Sequence, residues 1–410
     1  MLDEGKWRAK DFNLTTLLID VFKCRKVRVF ISISVTIDRK NVSRRLIKFD
    51  QGGLGLGDST HANVAVNREK IASDVDEIIE LETRLARIQE DKAHRTDFSK
   101  TYNLKRLSDM QTLMPLVDWD KYFYAITPPS IHKYLAADPE ILITEIDYMR
   151  RVTDLLNSTD PRIITNYVYI RYSSTWNGEL GERYERAAQQ FHHLMYGRKE
   201  KAPRWKDCAT TTMLRMQYVS GALYVKNAFS EETKNATLEM INDLQEAFHD
   251  ILIENDWIDD VTKAKALDKA RHMLRHIGYP DFILDDRKLD EYYKGLSIEE
   301  SDSYSEMVGK LTRWSIEFNF KRLLKPVDRA EFNINPAIVN AMPKIFRALN
   351  YGGIGTIIGH EITHGFDDKG RQFDAVGNLR DWWSSEMKKQ FEKRAQCFID
   401  QYSRIEVSLN

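Results

Sequence analysis

Two histidines and a glutamate within five residues, His360, Glu361 and His364, could bind a metal ion and move a proton. They fit the pattern H-E-x-x-H, which is typical of zinc peptidases. Four residues make about one turn of α-helix, so both imidazoles would project from one face and could bind a single zinc ion. Glu361 lies roughly 100° further around the helix, where its carboxylate could hold a water molecule. The spacing predicts His360 and His364 as zinc ligands and Glu361 as general base.

The surrounding residues must form the helix that positions these side chains. Ile354, Ile358 and Ile362 recur every four residues and give a stripe to bury, and Gly365 is placed to end the helix. The alternative is a pair of buried, hydrogen-bonded core histidines, because the bare pattern also occurs by chance. Asp367 favours the metal site, since metal-bound histidines usually donate from their second ring nitrogen to a carboxylate. We therefore predict that Asp367 orients a ligand histidine.

Three stretches around this helix carry a more specific signal: ALNYGGIG at 348–355, GHEITHGFDD at 359–368 and NLRDWW at 378–383. They resemble the neprilysin and endothelin-converting-enzyme family of zinc metallopeptidases. Four more segments resemble landmarks of that family in the same order: PRWKDC at 203–208, GALYV at 221–225, IGYP at 277–280 and VNA at 339–341. The likeness extends from about residue 45 to the end of the chain.

The resemblance implies a mainly α, two-lobed protein. We expect a large helical N-terminal lobe over residues 1–330 and the first part of a gluzincin-like zinc-peptidase domain over residues 331–410, with a short edge strand before the H-E-x-x-H helix. Alternation predicts a strand over residues 27–37, and helical spacing predicts a long amphipathic helix over 72–95. Similar spacing predicts helices at 104–124, 131–157, 179–197, 211–228, 231–254, 258–277, 301–324 and 384–402.

In the family, a motif that begins with Asn-Ala forms an edge strand that hydrogen-bonds the backbone of the peptide substrate, a form of strand addition. Asn340 and Ala341 match that pair and are the predicted substrate-binding residues. The aromatic pair and apolar segment that should follow are absent, so we expect an internal shortening here, and a second one after Gly57. The resemblance implies small peptide substrates, cut before apolar side chains.

A catalytic zinc takes three protein ligands and keeps a fourth position for water. By resemblance, the third ligand is a glutamate in a Gly-Glu-Asn-x-x-Asp motif, which would lie beyond Asn410. Glu386 follows His364 at a spacing similar to that of thermolysin-type third ligands and is the substitute ligand that this chain offers. The interpretation of Glu386 as a surface acid is favoured over that role. We expect an incomplete, inactive form of a zinc metalloendopeptidase that holds one zinc ion poorly. The alternative is a non-catalytic peptide-binding or interfering fragment.

Composition limits the remaining possibilities. The net charge of −1 gives no general attraction to nucleic acid or to anionic membranes. Hydrophobic residues at 42% and aromatic residues at 11% indicate a folded globular chain. The first residues do not form a secretory signal, and the apolar stretch at 27–37 is too short for a membrane helix. Family members are usually anchored in the plasma membrane with the catalytic part outside, so a cell-surface location is implied by resemblance alone.

The three cysteines, Cys24, Cys208 and Cys397, are scattered and include no C-x-x-C pair, so neither a cysteine zinc knuckle nor a redox motif is supported. Cys208 and Cys397 match family positions that form disulfides with partners nearer the chain ends. Those partners are absent here, and Cys24 has no family counterpart that we identify. Pairing among the three stays open.

Overall fold

The computed structural model describes residues 8–55, 71–91, 94–176, 179, 182–198, 200–229, 231–332 and 347–405. The chain divides into two compact units. Unit 1 comprises Met1–Asp38, Ser43–Arg215 and Asp290–Asp328, and unit 2 comprises Arg39–Val42, Met216–Leu289 and Arg329–Asn410. One boundary between the units falls beside residue 330, where the sequence predicted a domain boundary, but residues 216–289 join the C-terminal part. The division into family domains stays a prediction.

The described residues are mainly α-helical, as predicted. The helices are α1 Leu14–Arg25, α2 Ile71–Ile88, α3 Asp109–Leu113, α4 Trp119–Ile126, α5 Pro129–Ala136, α6 Ile146–Asn157, α7 Pro161–Ser174, α8 Glu182–Tyr196, α9 Arg204–Arg215, α10 Gln217–Ala228, α11 Glu231–Glu254, α12 Asp260–Arg271, α13 Asp286–Tyr292, α14 Tyr304–Lys321, α15 Arg347–His364 and α16 Ser385–Tyr402. None of the helices in these ranges is long and apolar enough to cross a membrane. The predicted edge strand before the H-E-x-x-H helix lies outside the described residues.

A four-stranded sheet in unit 1 has the order β1-β2-β4-β3. Its strands are β1 Ile31–Asp38, β2 Asn41–Gln51, β3 Asn103–Arg106 and β4 Glu140–Ile143. Strand β4 pairs in parallel with β2, with Phe49 opposite Ile143, and antiparallel with β3. The strand predicted over 27–37 corresponds to β1, which begins later.

The predictions of helix over 104–124 and 131–157 were wrong at β3 and β4. In β4, Ile141, Leu142 and Ile143 are fully buried. A short, continuously apolar run of this kind cannot be distinguished by periodicity from a buried helix segment. By contrast, α11 has the predicted bounds and α16 nearly so, because both show sustained helical spacing over many residues.

In the core of unit 1, β2 meets α4, and α6 meets the residue before β1. Phe49 of β2 is fully buried, with its ring centroid 5.3 Å from that of Trp119 and 5.9 Å from that of Phe123. The hydroxyl of Tyr148 donates to the carbonyl of Phe30 over 2.7 Å, which joins α6 to the residue before β1. These ring contacts and this hydrogen bond link segments that are far apart in the sequence.

A buried ion pair ties α1 to the loop after α7. Both terminal nitrogens of Arg25 donate to the carboxylate of Glu179 over 2.8 Å, and these side chains are only 4% and 8% exposed. The guanidinium also lies 3.6 Å from the ring centroid of Trp176. Burial alone would raise the pKa of Glu179, but hydrogen bonds from Arg25 and Ser305 lower it below its usual value.

Unit 2 is built from α10, α11, α12, α15 and α16. Its small core consists of Leu252, Ile258, Ala266, Trp382, Trp383 and Met387. The carboxylate of Asp259 caps α12 by accepting from Thr262 N over 2.7 Å and also accepts from the hydroxyl of Ser384 over 2.9 Å. Since Ser384 is the N-cap of α16, the beginnings of α12 and α16 are held together.

Candidate metal centre

Helix α15 carries the H-E-x-x-H residues in its last turn and ends at His364, directly before Gly365, as the sequence predicted. Ile362 is buried, whereas Ile354 and Ile358 are half-buried. Helix α15 packs on α11, where the hydroxyl of Tyr351 donates to the carboxylate of Asp243. The isoleucine stripe therefore lies on the face of α15 that is turned toward the protein, and only Ile362 is fully covered.

The two histidines share one face of α15. The ring centroids of His360 and His364 lie 4.4 Å apart with the planes at 80°. Both side chains are exposed, as is that of Glu361 between them in the sequence. Neutral imidazole is a preferred zinc donor, and two rings one turn apart present suitable nitrogens to a single ion.

Asp367 connects the second histidine to the turn that follows the helix. Its Oδ2 lies 2.7 Å from Nδ1 of His364, and its Oδ1 accepts from the backbone N–H of Lys369 over 3.0 Å and of Gly370 over 2.7 Å. Because an ionised carboxylate can only accept, Nδ1 of His364 carries the hydrogen. The Nε2 atom is then the nitrogen available to a metal, which is the arrangement expected for Asp367.

This contact shifts both pKa values in the direction of an ion pair. The hydrogen bond that His364 donates to Asp367 raises the pKa of His364 above its ordinary value. Burial by itself would raise the pKa of Asp367, but hydrogen bonds from Gly370 N–H, His364 and Lys369 N–H outweigh it and lower that pKa. Asp367 is therefore ionised at neutral pH and remains an acceptor for the imidazole.

A lysine of α12, Lys269, which the sequence analysis did not identify, donates hydrogen bonds to the turn from Gly365 to Phe373. Lys269 of α12 donates its Nζ to the carbonyls of Gly370 and Phe373, over 2.7 Å each. The indole of Trp382 donates to the same Phe373 carbonyl over 2.9 Å. One feature of the sequence could have indicated this role. Lys269 follows Thr262 and Ala266 on the buried face of α12, where a charged residue is unexpected.

The donor set fits a zinc ion in part. Among the residues that the structure describes, no group of three or more His, Cys, Asp or Glu side chains is arranged to hold a metal ion. Glu386, the possible substitute ligand, is exposed in the first turn of α16 and accepts from Gln390 over 3.0 Å. The structure does not bring it together with His360 and His364. Two imidazoles on one face of α15, of which that of His364 is held by Asp367, are the candidate ligands.

Two other predictions have different outcomes. Asn340 and Ala341, the predicted substrate-binding pair, lie outside the described residues. Cys24, Cys208 and Cys397 are all free and exposed, so they form no disulfide with one another.

A cavity of about 570 Å³ borders α15 at Ile362 and is lined by α11 and α12 residues that include Phe248, His249, Arg271 and Met273. Ile362 follows His360 by two positions, which places it roughly 200° around the helix. The cavity therefore lies on the opposite side of α15 from His360 and is separate from the face that carries the two histidines. In the lining of this cavity, Nη2 of Arg271 lies 3.0 Å from Nε2 of His249.

The helix, its paired histidines and the carboxylate behind them match the H-E-x-x-H arrangement that is typical of zinc peptidases. Two family models described as "Peptidase family M13" match residues 60–280 and 339–410. The chain belongs to peptidase family M13.

Relatives and solved structures agree with this. The chain is 43% identical to Neprilysin-1 of Caenorhabditis elegans over 99% of its own length, and 29% identical to endothelin-converting enzyme 1 of Cavia porcellus over 98%. The crystal structure of the zinc metalloprotease Zmp1 of Mycobacterium tuberculosis, in complex with an inhibitor, is similar with a TM-score of 0.82 at 26% identity and covers 96% of this chain.

The chain spans 61% of the length of Neprilysin-1, 59% of endothelin-converting enzyme 1 and 64% of the Zmp1 chain. The match to Neprilysin-1 extends over 458 aligned residues, more than the 410 residues of this chain. The alignment therefore includes positions of the relative for which this chain has no counterpart.

Proposed function

We propose that the chain carries the metal-binding and proton-accepting half of a neprilysin-like zinc metalloendopeptidase. The observation that carries the proposal is the pair of imidazoles 4.4 Å apart on one face of α15, with Nδ1 of His364 bonded to Asp367. His360 and His364 would hold the ion, and Asp367 would keep the ring of His364 oriented. When bound, zinc supplies the Lewis acidity that acidifies water and polarises a peptide carbonyl.

Glu361 is proposed as the general base. It lies between the two histidines in sequence and is exposed on α15. Its carboxylate would accept a proton from the attacking water and pass it to the leaving amine. No other carboxylate combines a place on this helix with a position beside both proposed ligands.

The substrates are proposed to be small peptides, bound in part through their backbone by the segment that begins at Asn340 and Ala341. Support comes from the relatives, which are named as neprilysins and endothelin-converting enzymes. A cell-surface or extracellular location is proposed on the same ground. The 458 aligned residues with Neprilysin-1, against 410 in this chain, support an internal shortening, and its places after this pair and after Gly57 are part of the proposal.

We further propose that the 410-residue chain by itself holds zinc weakly and does not hydrolyse peptides. Two imidazoles fill half of the usual tetrahedral shell, and the loss of only a residue behind a ligand typically lowers metal affinity or activity about 10–100-fold. The other candidate function, a non-catalytic peptide-binding or interfering form, is proposed because the described residues bring no third ligand to the two imidazoles.

The test compares zinc binding and peptide hydrolysis in the chain and in two variants. His364→Ala should abolish the remaining zinc binding, while Glu361→Gln should bind zinc as the unchanged chain does, because only the proton acceptor is lost. In a longer form that completes the ligand set, Glu361→Gln should retain zinc and lose hydrolysis. Near-normal turnover by that variant would rule out the assignment of the base. Zinc binding that survives His364→Ala would rule out the assignment of the ligand.

A second result would overturn the proposed inactivity. One tightly bound zinc per 410-residue chain, together with cleavage of a quenched apolar peptide, would show that the ligand set is complete. Loss of both in Glu386→Ala would then identify Glu386 as the third ligand.

A further inference from the structure

Lys269 is a buried cation whose amine donates to two backbone carbonyls of the turn after helix α15. Its side chain is only slightly exposed, and its Nζ donates to the carbonyls of Gly370 and Phe373 over 2.7 Å each. The ring centroids of Phe366 and Trp382 lie 5.4 Å and 5.7 Å from the same nitrogen. Burial lowers the pKa of Lys269 to about 8, although the carboxylates of Asp374 and Asp367 oppose that shift.

Gly370 links this lysine to the histidine. The carbonyl of Gly370 accepts from Lys269, while its N–H donates to Oδ1 of Asp367 over 2.7 Å. The other carboxylate oxygen, Oδ2, holds Nδ1 of His364. A displacement of Gly370 would therefore move the acceptor that fixes both the ring orientation and the tautomer of His364.

The turn has little room to find another arrangement. A Cβ added at Gly370 would lie 1.8 Å from the carbonyl oxygen of His364, and one added at Gly365 would lie 2.4 Å from Cε of Met273. The backbone at Gly370 thus passes close to the end of α15, whereas Gly365 faces the end of the flexible Met273 side chain. Lys269 of α12 supplies the charged hydrogen-bond donor to the carbonyls of Gly370 and Phe373 in this turn.

We propose that Lys269 is a positioning residue for the metal site: it holds the 365–373 turn so that Asp367 keeps the hydrogen of His364 on Nδ1 and leaves Nε2 to the metal. This inference rests on the proposed function in taking His364 as a zinc ligand. It assigns to α12, which lies about a hundred residues earlier in the chain, a part in the metal site that no local motif records.

The experiment uses the 410-residue chain with Lys269→Met, which keeps the length of the side chain and removes the amine. Lys263→Met is the matched control, because Lys263 lies on the same helix and donates to the carbonyl of Ile253 over 2.9 Å, away from the turn. The first readout is the tautomer of His364 in the metal-free chain, followed by nitrogen NMR of selectively labelled histidines. His364→Asn identifies the signal. We expect loss of the Nδ1–H tautomer in Lys269→Met and no change in Lys263→Met.

The second readout is zinc affinity. Lys269→Met should weaken it about 10-fold, the lower end of the range typical for residues behind a ligand, with no change in the control. Combining Lys269→Met with Asp367→Asn should add little to the effect of Asp367→Asn alone, because both changes act on one contact. Fully additive effects, or an unchanged tautomer in Lys269→Met, would overturn the proposal.

Two outcomes need separate treatment. If Lys269→Met does not fold, the same measurements are made on Lys269→Arg, which keeps the positive charge. If neither variant folds while the control does, Lys269 is needed for folding itself, and its positioning role is overturned. If the unchanged chain binds no zinc, the proposed function fails, while the tautomer of His364 still decides whether Lys269 acts through Asp367.

Discussion

Replacing Gly370 by alanine is the sharpest test of the geometry behind His364. The added Cβ would lie 1.8 Å from the carbonyl oxygen of His364, and 2.7 Å and 2.9 Å from two backbone atoms of Gly365. All three neighbours are main-chain atoms, so no flexible side chain can move aside. To reach an ordinary contact of 3.4 Å, the turn must open by more than 1 Å.

Such an opening breaks identifiable contacts. The N–H of Gly370 loses Asp367, and the carbonyl of Gly370 loses Lys269, each now at 2.7 Å. Hydrogen bonds to charged groups contribute about 1.5–3 kcal/mol each. Asp367 is partly exposed, and water replaces some of this, so we expect unit 2 to lose about 3 kcal/mol of unfolding free energy. Zinc affinity should fall as well, because Asp367 no longer holds His364.

Amide hydrogen exchange, followed by mass spectrometry, separates the turn from the rest of the chain. Peptides covering 365–373 should exchange faster in Gly370→Ala, while peptides from β2 and β4 in unit 1 should not change. Gly353→Ala is the control, since no atom lies within 4 Å of the Cβ added there. This residue lies inside α15, where alanine is favoured over glycine by about 1 kcal/mol. If Gly370→Ala were as well tolerated as Gly353→Ala, the close passage of the turn, and the reasoning from it, would be wrong.

Three further predictions concern stability. Glu179→Gln should lower the unfolding free energy of unit 1 by about 3 kcal/mol at neutral pH, because it leaves Arg25 buried without its charge partner. The difference between variant and unchanged chain should shrink in acid, because the pKa of Glu179 is lowered in the folded state and the stability that its ionised form contributes is lost as the carboxylate is protonated. Phe49→Ala, measured by denaturant titration, should cost about 3–5 kcal/mol because it empties a fully buried site beside Trp119. Burial lowers the pKa of Lys269 to about 8, so above that pH the folded chain loses this proton while the unfolded chain keeps it. The unfolding free energy of the unchanged chain should therefore rise relative to that of Lys269→Met between about pH 8 and 10.

Much of the geometry of the proposed metal site could be predicted from the sequence because it is local. His360, Glu361 and His364 lie within one turn of a helix whose spacing fixes which side chains share a face. The end of the helix follows from Gly365, and the contact between Asp367 and His364 spans only three residues. Long helices such as α11 were predicted for the same reason, since their pattern repeats over many turns.

Elements that depend on distant parts of the chain were not predicted. Strands β3 and β4 are short, and β4 is a strand because β2 and β3 pair with it on either side, a fact that its own four residues do not contain. The union of residues 216–289 with the C-terminal part in one unit likewise depends on packing across the chain.

The sequence alone thus determined the family, the mainly helical fold and the residues that could bind a metal and accept a proton, because each follows from short-range spacing or from motifs. Only the tertiary structure decided what holds those residues in place. Lys269 lies far from His364 in the sequence, and its role exists only because α12 packs where its amine reaches the carbonyls of Gly370 and Phe373. A buried cation needs such acceptors, and which carbonyls supply them is set by the fold rather than by neighbouring residues.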